Sequence, residues 1–241
     1  MACGSAVPVH DAVASGLSGG WVRCVSDLYQ GQVGHLLPCW RLLKETHMAR
    51  ESIRIIRDEH AALASMLHSL ELMVARGPQD DLAGFFDVMR AMLFYVDEFP
   101  TRLHHPKESE LLFPRVVRLA PQTAELIARL EADHVHGETA VRELQHLLLA
   151  WELVGHGRRP AFTAAAQKYI EFSMEHIRLE ETEILPMALQ VLAEADWKEL
   201  DAAFATNCDP LSGKYQRDPA YDRLVAHILM RAPAPIGMGK S

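Results

Sequence analysis

His104-His105-Pro106-Lys107-Glu108-Ser109-Glu110-Leu111-Leu112-Phe113-Pro114 returns 72 residues later as His176-Ile177-Arg178-Leu179-Glu180-Glu181-Thr182-Glu183-Ile184-Leu185-Pro186. Laid over each other, both segments read His, three residues, Glu, five residues, Pro, with an apolar pair just before the proline. A lone histidine precedes each copy at nearly the same offset: His60 in Asp58-Glu59-His60 and His134 in Ala132-Asp133-His134, 74 residues apart. The chain therefore holds two units, each a lone His followed by His-x-x-x-Glu.

On a helix, positions i and i+4 differ by about 40° in azimuth and about 6 Å in rise, so an imidazole and a carboxylate at this spacing project from one face and converge. Such a pair also occurs by chance on solvated helices. With 13 His and 19 Glu in 241 residues, about one is expected. The chain has four, at His47/Glu51, His104/Glu108, His134/Glu138 and His176/Glu180, and two of them share the trailing proline and the repeat offset. The spacing predicts a metal site made by His60, His104, Glu108, His134, His176 and Glu180. Four imidazoles and two carboxylates form a nitrogen/oxygen set that suits iron, manganese or zinc, with no thiolate to favour copper(I) or an iron–sulfur cluster. Six ligands from two equivalent units divide into two half-sites, which predicts two metals.

The neighbours of these residues compete with them. Four residues after His105 stands Ser109, which cannot replace a carboxylate, so His104 with Glu108 is the better pair. Glu181 competes with Glu180, but its counterpart Ser109 is no ligand; Glu183 lies about 10 Å farther along the axis. Glu138 stands four after His134, where the first unit has Ala64. Its roles as an extra ligand, a hydrogen-bond partner of a ligand, or a solvated carboxylate stay open, and His105 and Glu181 are kept as extra or supporting candidates. His68, His136, His146, His156 and His227 have no partner in the repeat and are read as structural or surface residues. The same holds for His10, His35 and His47.

Apolar residues three and four apart place helices at about 50–76, 81–119, 122–154 and 161–192. Gly77-Pro78, Pro121 and the stretch 155–160 separate them, and Pro100 and Pro106 predict a kink or brief break within the second. Pro121 lies 13 residues from both Glu108 and His134, while Gly157 lies 23 after His134 and 19 before His176. At about 1.5 Å per residue the ligands then meet at similar heights in an all-α, antiparallel up-down four-helix bundle with the metals in its core. Residues 1–47, broken by glycine and proline, form an irregular N-terminal extension with no assignable element. Met48 opens the regular pattern, which suits a start there. The bundle domain is expected over 48–193, and 194–241 forms a short-helical, proline-rich tail that packs on the bundle without extending it.

A composition 49% apolar and 23% charged is ordinary for a globular protein. A formal charge of −8 with no basic stripe excludes a nucleic-acid surface. Four cysteines without Cys-x-x-Cys spacing suggest incidental reduced thiols. Neither a secretory leader nor an apolar run of about 18 residues is visible, so no membrane is expected and the expected location is cytoplasmic.

His60, His104 with Glu108, His134, and His176 with Glu180 together resemble the hemerythrin-like, or HHE cation-binding, domain over about residues 50–192. The His-His-Pro-Lys-Glu wording and the tail from Trp197 through Asn207-Cys208-Asp209-Pro210 to Ala234-Pro235-Ile236-Gly237 are similar to a bacterial branch of that family. The resemblance implies two non-haem iron ions in the bundle, bridged by Glu108 and Glu180, with the histidines as terminal ligands. One departure matters. The oxygen-carrying hemerythrins have a fifth histidine four residues after the one corresponding to His134, where this chain has Glu138, which argues against simple reversible oxygen carriage. The expected partner is a small diatomic molecule or peroxide. The first expectation is a protein that binds or senses dioxygen or iron. The second is a redox enzyme that decomposes peroxide, or handles nitric oxide and damaged iron–sulfur clusters. A ferritin-like carboxylate bundle is excluded, because Glu131/His134 and Glu143/His146 both fall on the third helix rather than on two.

Overall fold

In the computed structural model, which describes residues 50–212 and 219–239, four long helical paths carry the repeat. Helix α1 is Glu51–Arg76; α2 runs over 82–119; α3 is Ala124–Val154; α4 runs over 159–191. Each neighbours the next in sequence, and α1 closes the square against α4, giving the antiparallel four-helix bundle. Two shorter helices follow, α5 (Glu194–Phe204) on α1 and α6 (Asp222–Arg231) on α2. The N-terminal extension, with His10, His35, His47 and Met48, lies outside the described residues.

The helix ends follow local chemistry. Asp81 caps α2 by accepting a 2.8 Å hydrogen bond from the Gly84 amide. Gly77 ends α1 at φ +66°, a left-handed conformation that costs glycine little. The Arg159 guanidinium, at the start of α4, donates to the last carbonyls of α1, 2.9 Å from Val74 and 3.1 Å from Ala75. The expected loop up to Pro160 is shorter than the spacing suggests. Only Gly155 and one 3₁₀ turn (His156–Arg158) intervene, because Pro160 fits the first turn of a helix, where its missing amide has no partner to lose.

The apolar stripes meet in two clusters. One end of the bundle holds Met66, Leu70, Met89, Leu93, Leu148, Trp151 and Phe162; the other holds Ile53, Leu112, Phe113, Leu130, Ile184, Leu185 and, from α5, Trp197 and Phe204. The repeat histidines and glutamates form a polar layer between them. The tail meets α1 at Ser69, which donates to the Pro233 carbonyl at 2.9 Å and accepts from the Ile236 amide at 3.1 Å.

Candidate metal centre

The trailing prolines shape the helices that carry the ligands. A regular α-helix bonds each amide to the carbonyl four residues back, and a proline both lacks that amide and collides with that carbonyl. At three places here the amide just before a proline reaches back five residues instead: His105 to Pro100, Phe113 to Glu108, and Leu185 to Glu180. The wider turn moves the obstructing carbonyl aside, so α2 and α4 continue through Pro106, Pro114 and Pro186. The expected break at Pro100 and Pro106 is thus a π turn rather than an interruption. Each π turn inserts one residue, about 100° of rotation. His104 closes the first of these turns, and Glu108 and Glu180 open the other two.

The side chains converge. His60, His104, Glu108 and Glu180 bring donor atoms within 4.8 Å of one another, and so do His105, His134 and His176. His104 Nε2 lies 3.1 Å from His60 Nε2 and 3.0 Å from Glu108 Oε1, and Glu180 Oε2 lies 3.1 Å from His60 Nε2. The other oxygens turn the opposite way: Glu108 Oε2 is 3.6 Å from His134 Nε2, and Glu180 Oε1 is 3.8 Å from His134 Nε2 and 3.2 Å from His176 Nε2. Both carboxylates thus stand between the two groups. Glu108 is 0% and Glu180 1% exposed, yet all four of their oxygens and the Nε2 atoms of His134 and His176 make no hydrogen bond among the described residues. Buried polar atoms of this kind are costly unless a partner occupies the space they face, and a cation fits this donor set.

Each outward imidazole nitrogen has a neighbour on another helix. Glu59 Oε2 lies 2.8 Å from His104 Nδ1, Glu181 Oε1 3.1 Å from His60 Nδ1, and Ser109 Oγ 3.3 Å from His134 Nδ1; Asp133 Oδ2 comes only to 3.7 Å from His176 Nδ1, which makes no hydrogen bond among the described residues. A carboxylate at Nδ1, as His60 and His104 have, fixes the tautomer that turns Nε2 inward, the arrangement that orients metal-binding histidines. Glu181, a supporting candidate from the sequence, takes that role. Glu59, Ser109 and Asp133 are missed as partners by a reading that weighs only ligands. The signal is nonetheless within the repeat: an acid precedes the lone histidine in both units, and a polar residue follows the motif glutamate in both.

Charge at the site follows from these approaches. Burial lowers the His60 imidazole, but Glu180 and Glu181 outweigh it and hold it at about 9. His104, against burial, rises well above its usual value beside Glu108 and Glu59, and His176 rises beside Glu180. Burial works to raise Glu180, yet the three facing imidazoles hold it well below the usual carboxylate range. Protons here balance the carboxylates, and a cation would displace them. His105 is the exception. Burial and the imidazoles of His134, His104 and His176 push it far down, and its ring stacks on His134 at 3.9 Å between centroids.

Glu138 belongs to neither donor group. It lies 3.6 Å from Arg142 and lines a cavity of about 30 Å³ with His105, His134, His176, Tyr169 and Phe172. A second cavity of similar size, lined by Glu59, His60, Tyr95, His104, His105 and Asp209, lies beside the first donor group. The remaining repeat-free histidines stay outside the centre: His136, His146 and His156 are exposed, His68 sits by Glu71 on the surface, and His227 lies half-buried on α6.

Bundle, buried donor layer and supporting partners define a helical protein built to hold metal cations. The sequence pattern of the hemerythrin HHE cation binding domain matches residues 43–188, and the chain belongs to that family. No curated protein sequence matches it. Among the described residues no helix is long and apolar enough to cross a membrane.

Proposed function

We propose that the chain holds two non-haem iron ions and binds or senses dioxygen or iron there. His60 and His104 would hold one ion and His134 and His176 the other, with Glu108 and Glu180 standing between the two pairs. The observation that carries this reading is the division of each carboxylate: one oxygen faces each group of histidines. When bound, a reduced pair of irons supplies electrons to a small oxidant such as dioxygen, peroxide or nitric oxide. The chain supplies the rest. Glu181, Glu59 and Ser109 orient the imidazoles of His60, His104 and His134 through Nδ1, and Leu63, Tyr169 and Phe172 restrict water on the side of His134 and His176.

Turnover of peroxide or nitric oxide is the second reading, and Asp209 favours it. Burial raises this carboxyl to about 6, and it lines the cavity beside His60 and His104, so it can take up and release a proton there near neutral pH.

The test is metal analysis of protein purified without added metal, with absorption spectra of the reduced sample before and after dioxygen and then peroxide. About two irons per chain, with near-ultraviolet bands that persist without consuming peroxide, support binding or sensing. The same iron with sustained peroxide loss moves the function to an enzyme. Zinc alone, or no metal, overturns the iron reading.

A further inference from the structure

The segment after α5 lies beyond the matched domain, yet it reaches the centre. The Asn207 side chain, 1% exposed, donates from Nδ2 to Glu59 Oε2 at 2.9 Å, the same oxygen that lies 2.8 Å from His104 Nδ1. Its own Oδ1 accepts from Lys107, whose ammonium also donates to Thr206 Oγ1 at 2.9 Å. Asp209, two residues on and buried, accepts from the Tyr95 hydroxyl at 2.8 Å and from the Leu211 amide at 2.8 Å. Between them Cys208 takes φ +53°, a conformation a non-glycine residue keeps only when its surroundings demand it. Here the demand is two side chains, one on either side, both held inside the bundle.

Among the described residues nothing equivalent supports the second half of the repeat. The residue before Glu180, matching Lys107, is the apolar Leu179, so no ammonium anchors a strap there. Asp133, matching Glu59, has only a 3.8 Å approach from Arg129 on the surface and sits 3.7 Å from His176 Nδ1. The duplication is broken at the places where the tail attaches.

Building on the two-ion reading above, we propose that Thr206–Asp209 is a strap that fixes Glu59 and through it His104, so that the metal held by His60 and His104 is retained more firmly than the one held by His134 and His176. Asn207 and Lys107 are positioning residues: Asn207 keeps Glu59 aimed at Nδ1 and neither touches the metal. Loss of the partner bonded directly to a metal-binding histidine, here Glu59, typically weakens metal binding about 10- to 100-fold, and freeing Glu59 from Asn207 takes a share of that range.

The test uses the full chain loaded without oxygen with ferrous iron, with release followed by the absorbance of a ferrous chelator. The parent should release its two equivalents in two phases. In Asn207→Ala the slow equivalent should leave up to about tenfold faster while the fast one keeps its rate. Lys107→Met, changed at the outer end of the strap, should show the same selective effect in smaller degree. Asp133→Ala should speed only the fast equivalent, and the double variant Asn207→Ala/Asp133→Ala should speed both. Two irons leaving Asn207→Ala and Lys107→Met at parental rates, or both accelerating equally in each, overturns the strap. A parent that takes up no iron overturns the two-ion reading, and the strap with it.

Discussion

Glu108 and Glu180 face inward in a layer nearly closed to water, where an uncompensated carboxylate costs several kcal/mol. A cation bound there should act as a folding ligand. Ferrous iron or zinc at a hundred times its dissociation constant should raise the melting temperature of the parent by roughly 5–10 °C. The same calorimetric experiment on Glu108→Gln or Glu180→Gln should show little or no rise, because the shared carboxylate is gone. Asp209 sets a pH dependence of its own. Burial raises it from 3.8 to about 6 in the folded chain, so its contribution is fully present below 3.8 and is lost as pH rises through 6. Denaturant titrations at pH 5 and pH 8 should therefore show Asp209→Asn gaining roughly 1–2 kcal/mol on the parent over that interval. At this scale the inner donors were legible, because two copies of one spacing single them out. Their partners were not read, although Glu59 and Asp133 stand beside the lone histidines. A residue adjacent to a ligand points about 100° away on its own helix, and only the packing shows that it meets a histidine on the next one.

The π turns set where the glutamates point. Deleting exposed Glu110 together with Pro114→Ala should convert the turn after Glu108 into regular helix. Helical circular dichroism should stay near the parental value, while bound metal falls by at least half as Glu108 loses its aim. Helix ends should behave independently of the centre. Gly77→Ala forces a side chain into φ +66°, with its Cβ 2.9 Å from the Arg159 guanidinium, and should cost about 1 kcal/mol with metal content unchanged. The four helices and their corners were legible from apolar periodicity and from Gly77, Pro121 and Gly155. The course of the chain at Pro106, Pro114 and Pro186 was not. A proline says which hydrogen bond is impossible, whereas the one that replaces it depends on whether neighbouring helices hold the path straight. The role of Asn207 is not legible, since nothing in the spacing of α5 and the tail measures how close they come to α1.

Across the whole molecule, the near-equal distances of the ligands from Pro121 and Gly157 were enough to place them at one height, and the two apolar clusters lie above and below that height. This division has a consequence for how the chain comes apart. Two separate buried clusters need a reason to melt together. Without a cation the layer between them holds four buried carboxylate oxygens that make no hydrogen bond among the described residues, so the clusters can loosen one at a time, and the calorimetric enthalpy of unfolding should exceed the van't Hoff value. With the cation in place, ligands from all four helices tie both clusters to a common point, and the two enthalpies should agree. The metal is then also the source of cooperativity, the component that makes a bundle with two cores unfold as one.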